Sequence, residues 1–158
     1  MRHSPAPRRG GFTFIEILVV FIVFSAVATI SIRSVGDTLR RDRLSKSSAI
    51  VSSDLEQAFA IAARQRQPVR VQIDRTNLKL TVVDRNTPTL VYKTRSFAKA
   101  GAYELDSLWS NRDFIDIMPN GLSTNELQLS LIIRTTGGAL YQKSVRASRG
   151  GLVRVGNQ

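Results

Sequence analysis

The chain has 158 residues and a net charge of +11, with 23 lysines and arginines against 12 acidic residues, one histidine and no cysteine. That length fits one domain of modest size, and no disulfide can staple it in any compartment. The single histidine, His3, sits in the N-terminal leader, so the rest of the chain lacks the Ser–His, Cys–His and zinc-ligand combinations that most hydrolytic and metal sites need.

Carboxylates remain, but none forms a telling pair; Asp113 and Asp116 are expected as surface residues of a strand or loop. No catalytic residue, metal or cofactor is expected, and the chain is not read as an enzyme. The positive balance favours acidic partners: nucleic acid, anionic lipid or an acidic neighbour in an assembly.

In chain order, the first element is a short basic leader with Arg2, Arg8 and Arg9, closed by Gly10-Gly11. An apolar run follows at once, 21 residues from Phe12 to Ile32, with Glu16 as its only charge. As a helix it would be about 31 Å long, enough to cross a bilayer core. The carboxylate is the anomaly, because a charge at mid-membrane costs on the order of 2.5–3.5 kcal/mol. In a secretory signal the small-residue cleavage site follows the apolar region; here the two glycines precede it.

The segment Gly10-Gly11-Phe12-Thr13-Phe14-Ile15-Glu16 resembles the prepilin-type leader of type IV pilins and type II secretion pseudopilins, whose motif reads Gly, Phe, Thr, Leu, Ile, Glu. Phe14 stands in the leucine position. The resemblance implies cleavage between Gly11 and Phe12 by a membrane prepilin peptidase, then N-methylation of Phe12. It also implies a role for Glu16 in subunit assembly, pairing with the free amine of Phe12 on a neighbouring chain. Two opposite charges in hydrocarbon would each relieve the other's desolvation. An intrachain contact is open too, since the groups are four residues apart on one helix.

Beyond Ile32, Leu39, Leu44, Val51, Leu55, Ala58, Phe59 and Ala62 recur at spacings of three, four and seven, predicting an amphipathic continuation. Asp42, Asp54, Glu56 and the arginines from Arg40 to Arg66 are expected on its polar faces. With no proline before Pro68, one helix is predicted from Phe12 to Gln65, with Gly36 a weak joint costing about 1 kcal/mol relative to alanine. Many pilins have a proline near the outer end of the membrane segment; this chain reads Ile32-Arg33-Ser34 there. Arg33, Arg40, Arg41, Arg43 and Lys46 make the second flank basic as well, so charge bias does not orient the span. Orientation rests on the leader resemblance, which implies a single pass through the bacterial inner membrane with the C-terminal domain in the periplasm. The expected division is 1–11 leader, 12–35 transmembrane and polymerisation helix, and 36–158 periplasmic domain.

From Pro68 the period becomes two. Val69, Val71 and Ile73 form one run and Leu78, Leu80 and Val82 the next, with a turn at Arg75-Thr76-Asn77. A third strand is predicted within Thr89 to Phe97. A looser stretch contains Gly101 and Trp109. Phe114 to Met118 precede a Pro119-Asn120-Gly121 turn, Leu127 to Ile133 alternate, Gly137-Gly138 turn into Ala139 to Val145, and Leu152 to Val155 close the chain. The expected class is α+β: a pilin-like long N-terminal helix packed on an antiparallel β-sheet domain.

The C-terminal pattern, together with Ala58-Phe59-Ala60-Ile61-Ala62-Ala63-Arg64 before Pro68-Val69-Arg70-Val71, resembles the GspH/FimT group of pseudopilins. That implies a minor pseudopilin of a type II secretion system, built into a periplasmic pseudopilus that drives protein secretion. Its implied partners are other pseudopilins or pilins, the prepilin peptidase, the inner-membrane assembly platform and membrane lipid. The alternative is a FimT-like minor type IV pilin acting in pilus assembly or DNA uptake. Lys143, Arg146, Arg149 and Arg154 motivate it as phosphate contacts. The DNA-binding members carry Gly-Arg-X-Arg; Gly150-Gly151-Leu152-Val153-Arg154 departs from that, and a solvated strand face is the competing explanation. The C-terminal cysteine pair of major pilins is absent, and no acidic cluster suggests the calcium site of major pseudopilins.

Overall fold

The computed structural model describes residues 12–98, 103–135 and 138–157, with the side chains of residues 30–34 and 157 outside the description. Two compact units are present, Met1–Gly36 and Asp37–Gln158. One helix, α1, spans Phe14–Gln65, as the proline-free run predicts. It stops where Arg66 turns left-handed at φ 53°, just before Pro68.

Within the Asp37–Gln158 unit the helical segment packs on eight strands: β1 (Val69–Asp74), β2 (Lys79–Asp84), β3 (Val91–Ser96), β4 (Ser107–Ser110), β5 (Phe114–Ile117), β6 (Leu127–Arg134), β7 (Leu140–Ala147) and β8 (Val153–Asn157). They form two antiparallel sheets, ordered β3-β2-β1-β5 and β4-β6-β7-β8. The expected helix on antiparallel strands is present, with the strands divided between two sheets.

Alternation explains the core. Val69, Val71 and Ile73 face inward on β1, Leu80 and Val82 on β2, and Leu127, Leu129, Leu131 and Ile133 on β6. Against them the helix buries Leu44, Val51, Leu55, Ala58 and Ala62, so the amphipathic stripe is the seat of the sheets. The stripe begins at Leu44, since Leu39 is 52% exposed. The β7–β8 hairpin reaches the helix at Gly151, where φ is +81° and an added Cβ would lie 3.2 Å from the Phe59 ring. A side chain there would be strained twice over.

Four expectations need correction. The stretch around Trp109, expected to be loose, holds the short strand β4, whose Leu108 is buried opposite Leu131 while Trp109 stays exposed. Leu78 lies in the β1–β2 turn at φ 50°, not in a strand. There the Asp74 carboxylate accepts the Thr76 and Asn77 backbone N–H groups at 3.0 and 2.9 Å.

Asp54 and Asp116 are not surface residues. Asp54, 1% exposed, accepts two hydrogen bonds from Arg95 of β3 at 2.9 and 3.1 Å and lies 2.5 Å from Lys93 Nζ, tying helix to sheet. It sits three residues after Val51 and four before Ala58, on the apolar stripe, so burial forces it to find cations. Asp116 is the direct cross-strand partner of Arg70, which it binds through two bonds of 2.7 and 3.0 Å, with Arg85 Nε at 3.1 Å. The Arg70 guanidinium also lies 4.3 Å from the Phe114 ring centre. Hydrogen bonding to Asp116 raises the pKa of Arg70, and hydrogen bonding to Asp54 raises that of Arg95. Asp113 is the exposed residue expected, pairing with Arg75.

A third buried carboxylate, Asp84, accepts the Thr87 and Asn86 N–H groups at 2.7 Å each and the Tyr92 hydroxyl at 3.0 Å. The Thr87 N–H in particular lowers its pKa. Tyr92 OH also bonds Gln65 Oε1 at 2.7 Å, linking the end of α1 to sheet β3-β2-β1-β5.

Leu55→Ala is expected to destabilise the Asp37–Gln158 unit by about 3 kcal/mol in a urea titration, whereas Leu39→Ala changes it by less than about 0.5 kcal/mol. Because the folded state lowers the pKa of Asp84, its contribution is complete above the ordinary carboxylate range and is lost as pH falls through the folded pKa. Melts recorded from pH 6 to pH 3 should therefore show a smaller acid-side loss for Asp84→Asn than for the parent chain.

Candidate functional site

The residues singled out by the sequence fall in two places, the start of α1 and the last two strands. Gly10 and Gly11 lie outside the described residues; Phe12 and Thr13 lead into the helix, and Phe12 is 79% exposed.

The first turn is built by Thr13 and Glu16. The Thr13 carbonyl accepts the N–H groups of Glu16 and Ile17 at 3.1 and 3.3 Å, so Thr13 is the helix N-cap. In return the Thr13 N–H donates to Glu16 Oε2 at 3.4 Å, the return half of a capping box. Glu16 is the third helical residue and also faces the positive end of the helix dipole. The Thr-X-X-Glu spacing ahead of an apolar run is a recognised helix-start signal, so this local role was legible in the sequence. At 3.4 Å the bond is long and weak, and a carboxylate has about four acceptor positions. Glu16 thus keeps ample capacity for a cationic partner.

Beyond this turn, every described side chain from Phe12 to Val27 is exposed, with Phe14 at 82% and Phe24 at 71%. Their apolar faces have no cover within their own unit. Ser25 within the stretch and Thr29 just beyond it turn their hydroxyls back into the helix: Ser25 Oγ donates to the Phe21 carbonyl at 2.7 Å and Thr29 Oγ1 to the Ser25 carbonyl at 2.8 Å. Each hydroxyl thus satisfies itself on its own helix and adds little polarity to the exposed surface. Among the described residues no helix is long and apolar enough to cross a membrane. The expected span to Ile32 runs into residues 30–34, whose side chains lie outside the description.

The four basic residues near the C-terminus do not form one tract. Lys143 Nζ donates to Ser45 Oγ of α1 at 3.0 Å, on the helix side of β7. Arg146, three residues on, points to the opposite face, where it is the cross-strand neighbour of Arg154 on β8. Arg149 lies exposed in the β7–β8 turn. Arg146 and Arg154, with Asn111, Gln128 and Ser148, line an open depression of about 350 Å³. Among the described residues no three His, Cys, Asp or Glu side chains are grouped to hold a metal ion.

A family profile described as the prokaryotic N-terminal methylation motif matches residues 6–32. Solved structures similar to this chain include the type IV minor pilin FimU of Pseudomonas aeruginosa PAO1. It is 13% identical, at a TM-score of 0.55, over 72% of this chain and 92% of that one. The minor pseudopilin EpsH of the Type 2 Secretion System of Vibrio cholerae is 17% identical, at a TM-score of 0.56, over 73% of this chain and 97% of that one. No curated protein matches the chain by sequence. The chain is therefore type IV pilin-like in fold and carries the N-terminal methylation motif.

Proposed function

We propose, from a pilin-like fold joined to an N-terminal methylation motif, that this chain is a minor pilin-type subunit, and specifically a minor pseudopilin of a type II secretion system. It is made as a single-pass inner-membrane precursor with residues 36–158 in the periplasm, cut between Gly11 and Phe12 and methylated on Phe12. It then assembles with other pseudopilins. The observation that carries this reading is the apolar stretch from Phe12 to Val27, uncovered within its own unit, which opens on a carboxylate bound, among the described residues, by a weak cap. The pseudopilin assignment adds the similarity to EpsH, and its mechanism is packing: apolar helices cover one another while Glu16 takes the Phe12 ammonium of a neighbour and fixes their axial register.

A second reading, a minor type IV pilin that takes up DNA, is favoured by one observation, the cross-strand register of Arg146 and Arg154 on the rim of one depression that Glu126 also lines. Like charges directly opposite each other on neighbouring strands oppose folding, which suits an anionic ligand. On that reading the full chain in detergent binds duplex DNA at low salt, binding falls steeply as salt rises, and Arg146→Gln/Arg154→Gln abolishes it. No binding at low salt favours secretion.

The pairing role separates from the capping role by one substitution. Glutamine at the third helical position keeps a capping box but carries no charge. Glu16→Gln and Glu16→Ala should therefore both be processed normally, and both should be depleted from filaments on cross-linking and fractionation. Incorporation of Glu16→Gln at the parent level would reduce Glu16 to a cap.

A further inference from the structure

Five cations in the Asp37–Gln158 unit have no part in the assembly role described so far. Its helical segment begins with Arg40, Arg41 and Arg43, and the β6–β7 hairpin brings Arg134 and Lys143 beside them. Arg40 Nη1 donates to the Arg134 carbonyl at 3.3 Å. The Arg41 guanidinium lies 4.4 Å from the centre of the Tyr141 ring, and Lys143 donates to Ser45. Each of these three partners is neutral, so the side chains are held in place without losing their charge.

Acidic groups are present nearby but are committed. Glu104 pairs with Arg43, Asp42 lies 2.7 Å from Lys46 Nζ, and Asp106 accepts the Arg134 backbone N–H at 2.6 Å. Two open concavities flank the cluster, one of about 420 Å³ where Arg40, Arg43 and Arg134 stand with Glu104 and Asp106, the other of about 670 Å³ where Arg41, Tyr141 and Lys143 stand with Asp42. Two large apolar side chains with little cover belong to the same elements: Leu39, next to Arg40 in the helix, at 52% exposure, and Leu140, which lines the second concavity, at 58%.

Charge alone would suit any polyanion. Leucines set among arginines suit a surface with phosphate above and hydrocarbon beneath. Arg40 also follows Ile32, the end of the apolar run, by only eight positions in the sequence. We propose that this end of the unit docks on the anionic phospholipid headgroups of the membrane, Arg40, Arg41 and Lys143 binding phosphates while Leu39 and Leu140 enter the acyl boundary. The inference rests on the membrane-inserted reading of residues 12–32. It accounts for a basic flank that does nothing to set orientation: its charges bind the surface on their own side.

The absence of native cysteine allows a direct test. The full chain carrying Ala139→Cys in the β6–β7 hairpin, or Thr87→Cys beside the far end of α1 as control, is labelled with a fluorophore. It is then reconstituted into phosphatidylcholine vesicles with or without phosphatidylglycerol. Headgroup spin-labelled lipid should quench the dye at position 139 only in the anionic vesicles and leave position 87 unaffected. Arg40→Gln/Arg41→Gln should weaken the lipid-dependent quenching about fivefold for each charge removed, and rising salt should weaken it too.

Equal quenching in neutral vesicles, or none in either while the chain resists alkaline extraction, overturns the docking surface and leaves the membrane reading standing. Extraction of the chain overturns both. Loss of quenching with soluble glycerophosphate assigns the cations to free phosphate, and shielding of the dye by duplex DNA but not by anionic vesicles assigns them to nucleic acid. Either result overturns the proposal.

Discussion

The cover that α1 needs for its apolar side chains governs the rest. The helix is 52 residues long, and only its later part lays a buried stripe, from Leu44 to Ala62, against sheets of the same chain. The side chains from Phe12 to Val27 are exposed, far more contiguous apolar surface than a soluble monomer ordinarily tolerates. Water does not solvate such a surface cheaply, and on the proposed function lipid or the same stretch of other helices covers it. Exchange of one cover for the other is the physical content of the proposed assembly.

The Asp37–Gln158 unit answers the opposite need: it must hold its shape whatever the other segment touches. With no disulfide available, it uses buried carboxylates as fasteners. Asp54 binds helix to β3, Asp116 binds β5 to β1 and to Arg85, and Asp84 closes the β2–β3 turn while its Tyr92 partner reaches Gln65. Removing one partner of such a pair leaves a charge stranded in a dry place, so these contacts fix geometry more surely than they add stability. Arg70 and Arg95 remain partly exposed, which lets the surplus positive charge of each cluster reach solvent.

Much of this was legible from residue order. The proline-free run ending before Pro68 gave the helix, and the two-residue alternation of Val69 to Ile73 and Leu127 to Ile133 gave the inward faces of β1 and β6. Asp54 is the instructive miss: its charge points to a polar face, while its spacing to Val51 and Ala58 puts it on the apolar stripe, where it is buried. Asp116 was not legible, since its burial depends on facing Arg70 across two strands 46 residues apart in sequence, and no local pattern encodes that pairing. The strand at Ser107–Ser110 was hidden for a like reason: four residues with an exposed tryptophan show no period until β6 supplies the register. At the candidate site, Glu16 stood out as an acid in an apolar run, while its bond to Thr13 is a local spacing rule that the stronger anomaly obscured.

That bond has a consequence for timing. Thr13 offers Glu16 a neutral amide hydrogen both before and after the leader is removed. The competing donor, the amino group of Phe12, is an amide in the precursor and becomes a cation only when the Gly11–Phe12 bond is cut. On the proposed role, the acid therefore rests on a weak local bond throughout synthesis and storage in the membrane, and acquires a stronger claimant at the moment of maturation. On that role proteolysis is the arming step, creating the valence by which one subunit holds the next.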